Sequence, residues 1–219
     1  MSSNRSTACM AVGLLLLLAA FCLTGYNIWD GDRAGTAAEK AFLSLKDVTF
    51  DSQERGMPEK MIPYYELYPQ MEMPVISIDG YEYVGYLEIP ALELTLPIME
   101  SCSDEQMKVA PCRYSGSAYL DTMVIAGHNY RRHFGGLKNL SAGDAVWFTD
   151  ADGNRFVYAI DDFEQLRPNQ TLEMIDNDYD LTLFTCTTGG RLRMAVRCSR
   201  TEDTMATADT AQWKERSSL

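Results

Sequence analysis

Leu181-Thr-Leu-Phe-Thr-Cys186-Thr-Thr-Gly-Gly190-Arg-Leu-Arg193-Met-Ala-Val-Arg197 reads as an apolar strand, a flexible turn and a second apolar strand. Two antiparallel strands joined in this way would return Arg193 to the side of the Cys186 thiol. A thiol placed where a strand gives way to a loop stands on a rigid support and can still be reached, which is what a nucleophile needs. The competing reading is a buried structural cysteine or one half of a disulfide. A guanidinium is permanently charged and rich in donors, so Arg193 could stabilise a thiolate before attack and an oxyanion after it. Spacing alone does not choose between Arg193 and Arg191, and an arginine in a hairpin is usually just solvated.

Upstream, the same texture of short apolar or alternating runs recurs. Strands are expected at 83–89, 92–96, 122–126, 145–149 and 155–160, besides the pair at 181–185 and 193–197. Asp152-Gly153-Asn154 lies between two of them and suits a hairpin turn. About seven strands with little helix predict an all-β domain, a small closed barrel or a sandwich. Val124-Ile-Ala-Gly-His128-Asn129 sets a histidine just past one buried strand, after a glycine that lets the chain turn. One imidazole can both promote a thiolate and protonate an amine leaving group. The other histidine of the chain, His133 in Arg131-Arg-His-Phe-Gly135, fits a surface residue better.

The chain has 219 residues, enough for one domain plus an appendage, and its 46% apolar content supports a real core. A net charge of −12 argues against nucleic acid as a partner, since a phosphate backbone calls for a basic surface. The appendage lies at the N-terminus, where the 24 positions between Arg5 and Asp30 carry no charge. As a helix they would reach roughly 36 Å, more than the ~30 Å hydrocarbon layer. Tyr26 and Trp29 sit where an interfacial aromatic belt is expected. Arg5 before the span and Asp30 and Asp32 after it favour a cytoplasmic N-terminus and an external body. A cleaved signal peptide is the alternative; no small-x-small site follows the apolar core. Ala34, Ala37, Ala38, Ala41, Phe42 and Leu45 then suggest a short amphipathic helix or stalk from Gly31 to about Lys46. A proline-punctuated, tyrosine-rich linker follows to about Gln70, part of which would pack on the domain.

Together these motifs resemble the sortase family. Thr182-Leu-Phe-Thr-Cys186 is similar to its Thr-Leu-x-Thr-Cys signature, Ala126-Gly-His-Asn129 to its glycine-histidine motif, and Arg193-Met-Ala-Val-Arg197 to the strand that opens on its catalytic arginine. Tyr86-Leu-Glu-Ile-Pro90 with Leu94-Thr-Leu-Pro-Ile98, and Phe134-Gly-Gly-Leu-Lys-Asn-Leu-Ser-Ala-Gly-Asp144, agree in order and spacing. The resemblance implies a closed eight-stranded barrel with short helices behind an N-terminal transmembrane helix. It implies Cys186 as nucleophile, His128 as general acid and base, and Arg193, in preference to Arg191, as stabiliser of thiolate and oxyanion. The implied reaction cuts an LPxTG-like sorting signal of exported proteins, holds the acyl group as a thioester and passes it to an amine of a cell-wall precursor or a pilin lysine. No cofactor or metal is expected. The implied location is the cell membrane, single-pass, with the catalytic domain extracellular. The chain divides accordingly into an anchor (1–30), a stalk and linker (31–73), a catalytic domain (74–200) and a polar tail (201–219). Only about 15 residues, Leu166 to Asp180, precede the Cys186 strand, which is short for the class B enzymes. Pro168 in that loop is similar to class D or class C, and no Asp-Pro-Trp type lid sequence precedes residue 90.

Five other cysteines and several carboxylates remain. Cys102 with Cys112 is a possible disulfide in an exported domain, and Cys112 with Cys198 is equally permitted. Cys9 and Cys22 fall in the apolar span. The carboxylates at Glu164, Glu173 and Asp176 to Asp180 read as a solvated loop. Two other functions fit the residues: a cysteine peptidase that releases the acyl group to water, and a non-catalytic exported β-module in which Cys186 is structural.

Overall fold

A computed structural model describes residues 2–54, 62–187 and 189–201, with side chains from residue 9 to 46 in the first helix. Helix α1 runs unbroken over Ser2–Glu54, so the expected anchor and stalk are one rod that continues past the anticipated end near Lys46. Its two parts differ in what surrounds them. Leu14 to Leu18 are each between 58% and 68% exposed, an apolar sleeve that water would not tolerate, and the helix is long and apolar enough to cross a membrane. From residue 34 onward one face turns inward. Ala34, Ala38, Ala41 and Leu45, spaced by four, three and four residues, are buried, and this stretch packs on the sheet. Three of the four are alanines, whose small side chains let the helix lie close. Phe42 meets the Tyr86 ring edge-on at 5.3 Å.

The sheet has nine strands: β1 (Ile76–Ile78), β2 (Tyr81–Ile89), β3 (Leu94–Met99), β4 (Cys112–Ser115), β5 (Met123–Ala126), β6 (Ala145–Asp150), β7 (Arg155–Leu166), β8 (Leu181–Cys186) and β9 (Arg193–Arg200). They are ordered β1-β2-β3-β4-β5-β8-β9-β7-β6, and β6 pairs back onto β2. That last pairing closes an eight-stranded barrel from β2 to β9, with β1 hairpinned outside it. The seven expected strands are all present with shifted ends. β1 and β4 are additional: β1 is only three residues long, and Cys112-Arg-Tyr-Ser115 shows no alternation.

Closure depends on Gly85. Its φ of 150° lies where side chains are disfavoured, and a Cβ there would collide with the Thr149 carbonyl across the β2–β6 seam. The interior is filled by Tyr83, Leu87, Ile98, Phe148, Phe156, Leu183 and Val196, all buried. Each such side chain contributes roughly 1.5–3 kcal/mol relative to exposure. The hairpin expected at Asp152–Asn154 is organised by the buried Asp150. Its carboxylate accepts from the backbone N–H of Asp152 and of Asn154, from Asn154 Nδ2, and from the Tyr119 hydroxyl at 2.7 Å. Tyr65, in the short helix α2 (Tyr64–Leu67), stacks on Tyr119 at 4.8 Å, so the tyrosine-rich segment does pack on the domain.

Two further short helices sit in connections. α3 (Asp104–Met107) lies between β3 and β4, in a loop closed by a Cys102–Cys112 disulfide. α4 (Thr171–Ile175) lies between β7 and β8. It is tied down by Arg197, whose buried guanidinium donates to the Glu173 carbonyl at 2.7 Å, the Met174 carbonyl at 3.3 Å and Thr182 Oγ1 at 2.9 Å. The same guanidinium pairs with the Glu164 carboxylate at 2.6 Å. The Glu164 carboxylate therefore belongs to a clamp, where a solvated loop was expected; Glu173 joins it only through its backbone carbonyl and keeps an exposed side chain. The tail from 202 lies outside the described residues.

Candidate active site

Three adjacent strand ends build the site. β5 and β8 run parallel with Ala126 level with Phe184, and the register continues through the Gly127 N–H, which donates to the Phe184 carbonyl at 3.1 Å. Two residues further on each strand stand His128 and Cys186. On the other side β8 pairs antiparallel with β9, and Cys186 is the cross-strand partner of Arg193. Neighbouring strands lie ≈ 4.8 Å apart, so this register brings imidazole, sulfur and guanidinium to one barrel rim. All three line one cleft of about 370 Å³. Arg191 is not among the residues lining it and is exposed, which separates the two arginines that spacing left equivalent.

Each side chain has a local reason for its place. Gly127 cannot carry a side chain, because a Cβ would meet the buried Phe134 ring at 2.6 Å; the turn that leads to His128 closes over that ring. Cys186 is half-buried and free of any disulfide. The β8–β9 turn is held by the Thr187 N–H donating to the Leu192 carbonyl at 2.9 Å and by the Gly190 N–H donating to the Thr187 carbonyl at 2.8 Å. Arg193 donates to the Gly190 carbonyl at 3.3 Å, a long bond that leaves most of its donors uncommitted.

Electrostatically, His128 is pulled in two directions. Burial lowers its pKa, and the Asp104 carboxylate raises it again, with smaller contributions from Lys108, Asp30 and the Asp104 backbone. The net shift is downward, so the imidazole is mostly neutral at pH 7. A neutral imidazole beside a thiol can take its proton, and an adjacent guanidinium stabilises the resulting thiolate.

The rest of the cleft was not anticipated. Met107, Tyr114, Phe184 and Met174 make an apolar wall, with Tyr114 edge-on to Phe184 at 5.2 Å. The buried Thr185 hydroxyl also lines the cleft and has no hydrogen-bond partner among the described residues. Of the residues just named, only Phe184 and Thr185 lay inside a motif; Ala126 and Gly127 of the glycine-histidine motif line the cleft as well. Met107 comes from the disulfide-closed connection and Tyr114 from β4 just after it, and nothing local in the sequence announces that they fold over the site.

His133 is not the surface residue expected. It is fully buried, its two nitrogens make no hydrogen bond among the described residues, and burial pushes its pKa down to about 4. The docked α1 covers it from above, with Ala34 alongside.

Residues 87–201, more than half of the chain, match the family model described as the Sortase domain. A curated relative, Sortase A of Bacillus anthracis, is 22% identical over 190 residues, covering 84% of this chain and 89% of the relative. Among solved structures, a Clostridium perfringens Sortase D5 transpeptidase superposes with a TM-score of 0.55 at 18% identity, covering 76% of this chain and 99% of that one. Sortase C1 of Streptococcus agalactiae gives 0.52 at 23% identity, covering 80% and 98%. Clostridium perfringens sortase C, solved with the C-terminal cell wall sorting motif, gives 0.50 at 19% identity, covering 80% and 89%. At these identities the structural likeness speaks for the barrel fold.

Proposed function

The chain belongs to the sortase family of cysteine transpeptidases, and from that premise we propose that Cys186, His128 and Arg193 carry out the acyl transfer. The Cys186 thiolate attacks the carbonyl of the scissile peptide bond, and Arg193 turns from the Gly190 carbonyl to the oxyanion that forms. As the C–N bond breaks, the protonated His128 gives its proton to the departing amine, leaving an acyl thioester on Cys186. An incoming amine then attacks the thioester, His128 takes its proton, and the thiolate leaves. The observation that carries this reading is the register: positions 128, 186 and 193 end three neighbouring strands at one cleft.

The donor is an LPxTG-like sorting signal at the C-terminus of an exported protein. A sorting motif bound to Clostridium perfringens sortase C supports this choice, as does the apolar wall of Met107, Tyr114, Phe184 and Met174, which suits leucine and proline side chains. The acceptor is an amine of a cell-wall precursor or a pilin lysine. Helix α1 crosses the membrane once, with Arg5 on the cytoplasmic side and the barrel outside, and residues 31–73 join anchor to barrel. The test is a fluorogenic Leu-Pro-x-Thr-Gly peptide offered with and without an amine. Amine-dependent ligated product supports transpeptidation; release of the free acid at the same rate in both conditions assigns a peptidase instead.

A further inference from the structure

The helix that leaves the membrane does not stop short of the active site; it is bonded to the loop that carries His128. Asp30, the first charged residue after the 24-residue uncharged span, accepts a 2.7 Å hydrogen bond from the Tyr130 hydroxyl across a separation of 100 positions. Six and nine residues further along the helix, Arg132 donates to Thr36 Oγ1 at 3.2 Å and pairs with Glu39 at 2.7 Å. The helix is shaped for these side chains. The Tyr130 ring lies in ordinary contact range of Gly31, and a Cβ at Gly35 would run into Arg132 at 2.5–2.6 Å. Glycine is a poor helix former, and Gly35 inside the docked helix has here a packing reason.

Tyr130 is in turn the centre of the His128 loop. Its carbonyl accepts from the backbone N–H of both His133 and Gly135, at 3.0 and 2.9 Å, while the Phe134 N–H closes onto the His128 carbonyl at 3.2 Å. Its ring lies 5.0 Å from the His128 ring and 5.5 Å from that of His133. Moving Tyr130 therefore moves the ring beside Cys186. We infer that Tyr130, gripped by Asp30, is a positioning residue for His128, so that the helix leaving the membrane belongs to the working site. The inference rests on His128 acting as the acid and base proposed above.

The charged groups facing His128 are Asp104 and Lys108 from the disulfide-closed connection, and Asp30 from α1. Of these, Asp30 is the one whose removal also breaks the bond to Tyr130. The experiment uses the full chain in lipid nanodiscs, comparing wild type, Asp30→Ala, Tyr130→Phe, the double variant, Asp30→Glu, and Lys40→Ala. Lys40→Ala removes an exposed bond of the same helix to Asp79, a residue outside the His128 loop. Two quantities are read: kcat and KM for thioester formation with a Leu-Pro-x-Thr-Gly peptide, and the His128 titration by NMR, which is tractable with two histidines in the chain. Each single variant should lower kcat about tenfold, a fraction of the 10²–10⁴ that a well-placed acid–base group contributes, with KM within about twofold. The double variant should be no worse than either single one, because both remove one bond. Asp30→Ala should also lower the His128 pKa, and Asp30→Glu should restore part of the rate. Unchanged kcat and unchanged titration in both single variants would overturn the inference, as would an equal loss in Lys40→Ala, which would mean general undocking of the helix. A wild-type chain that forms no thioester while the titration still shifts would instead overturn the acid–base role of His128 and leave the link between helix and loop standing.

Discussion

Cys186 and Arg193 face each other as the last pair of the β8–β9 ladder, with the turn between them held by Thr187 and Gly190. A pair at the open end of a ladder is fixed in backbone position yet free in side-chain direction. The 3.3 Å bond from Arg193 to the Gly190 carbonyl is a resting position from which the guanidinium can swing. Arg193→Ala should therefore lower kcat/KM by about 10²–10³, the loss seen when one oxyanion donor is removed. Arg193→Lys should recover only part of this, because an ammonium lacks the planar fork. Arg191→Ala should stay within about threefold of wild type. Steady-state kinetics on a sorting peptide checks all three.

Acid stability should report on His133. Its folded pKa of about 4 lies below the ordinary value of 6.5, so the unfolded chain binds the extra proton first as pH falls. The stability it contributes is full above pH 6.5 and is lost between about 6.5 and 4. From pH 7 to pH 5 the loss should be about 2 kcal/mol. Urea unfolding of the wild type and of His133→Gln at the two pH values isolates this effect, since the other titrating groups are common to both. The variant should lose about 2 kcal/mol less over that range, though it starts from a lower stability.

The Cys102–Cys112 bridge closes a short loop whose helix α3 forms one wall of the cleft. Chain-entropy arguments give about 3 kcal/mol for a loop of this length. The double variant Cys102→Ser/Cys112→Ser should melt several degrees lower. Its KM for the peptide should rise more than its kcat falls, because Met107 and Tyr114 line the peptide's side of the cleft while Cys186 stays on its own strand.

Arg197, in contrast to the proposed catalytic Arg193, is a stability residue. Its guanidinium is buried and fully engaged. Arg197→Met should cost about 3 kcal/mol, since it strands Thr182 and two carbonyls without a donor. Loss of the clamp on α4 should also raise KM. Glu164→Gln, whose carboxylate is partly exposed, should cost well under half as much in the same unfolding measurement.

The closed barrel and the strands that flank the candidate site were legible in the sequence, and parts of what surrounds them were not. The hairpin from Leu181 to Arg197 and the glycine-histidine turn were legible because each is local: strand periodicity, a turn residue and one reactive side chain lie within a few positions. Strand β4 was not, because Cys112-Arg-Tyr-Ser115 lacks alternation and is held by pairing and by the disulfide. The burial of His133 and the bond between Asp30 and Tyr130 were not legible for another reason. Both depend on a helix docking from some 100 positions away, and no local pattern encodes that. Spacing alone left Arg191 and Arg193 equivalent; the family resemblance preferred Arg193, and the register places it, and not Arg191, opposite Cys186.

Acylation of the sulfur itself tests the account most directly. The chain is mixed with a Leu-Pro-x-Thr-Gly peptide without amine, quenched in acid, and examined by intact mass followed by peptide mapping. The account predicts a hydroxylamine-labile mass increase equal to the peptide's acyl half, mapped to Cys186 and missing from Cys186→Ala. An adduct on any other residue, or peptide cleavage that persists in Cys186→Ala, would contradict it.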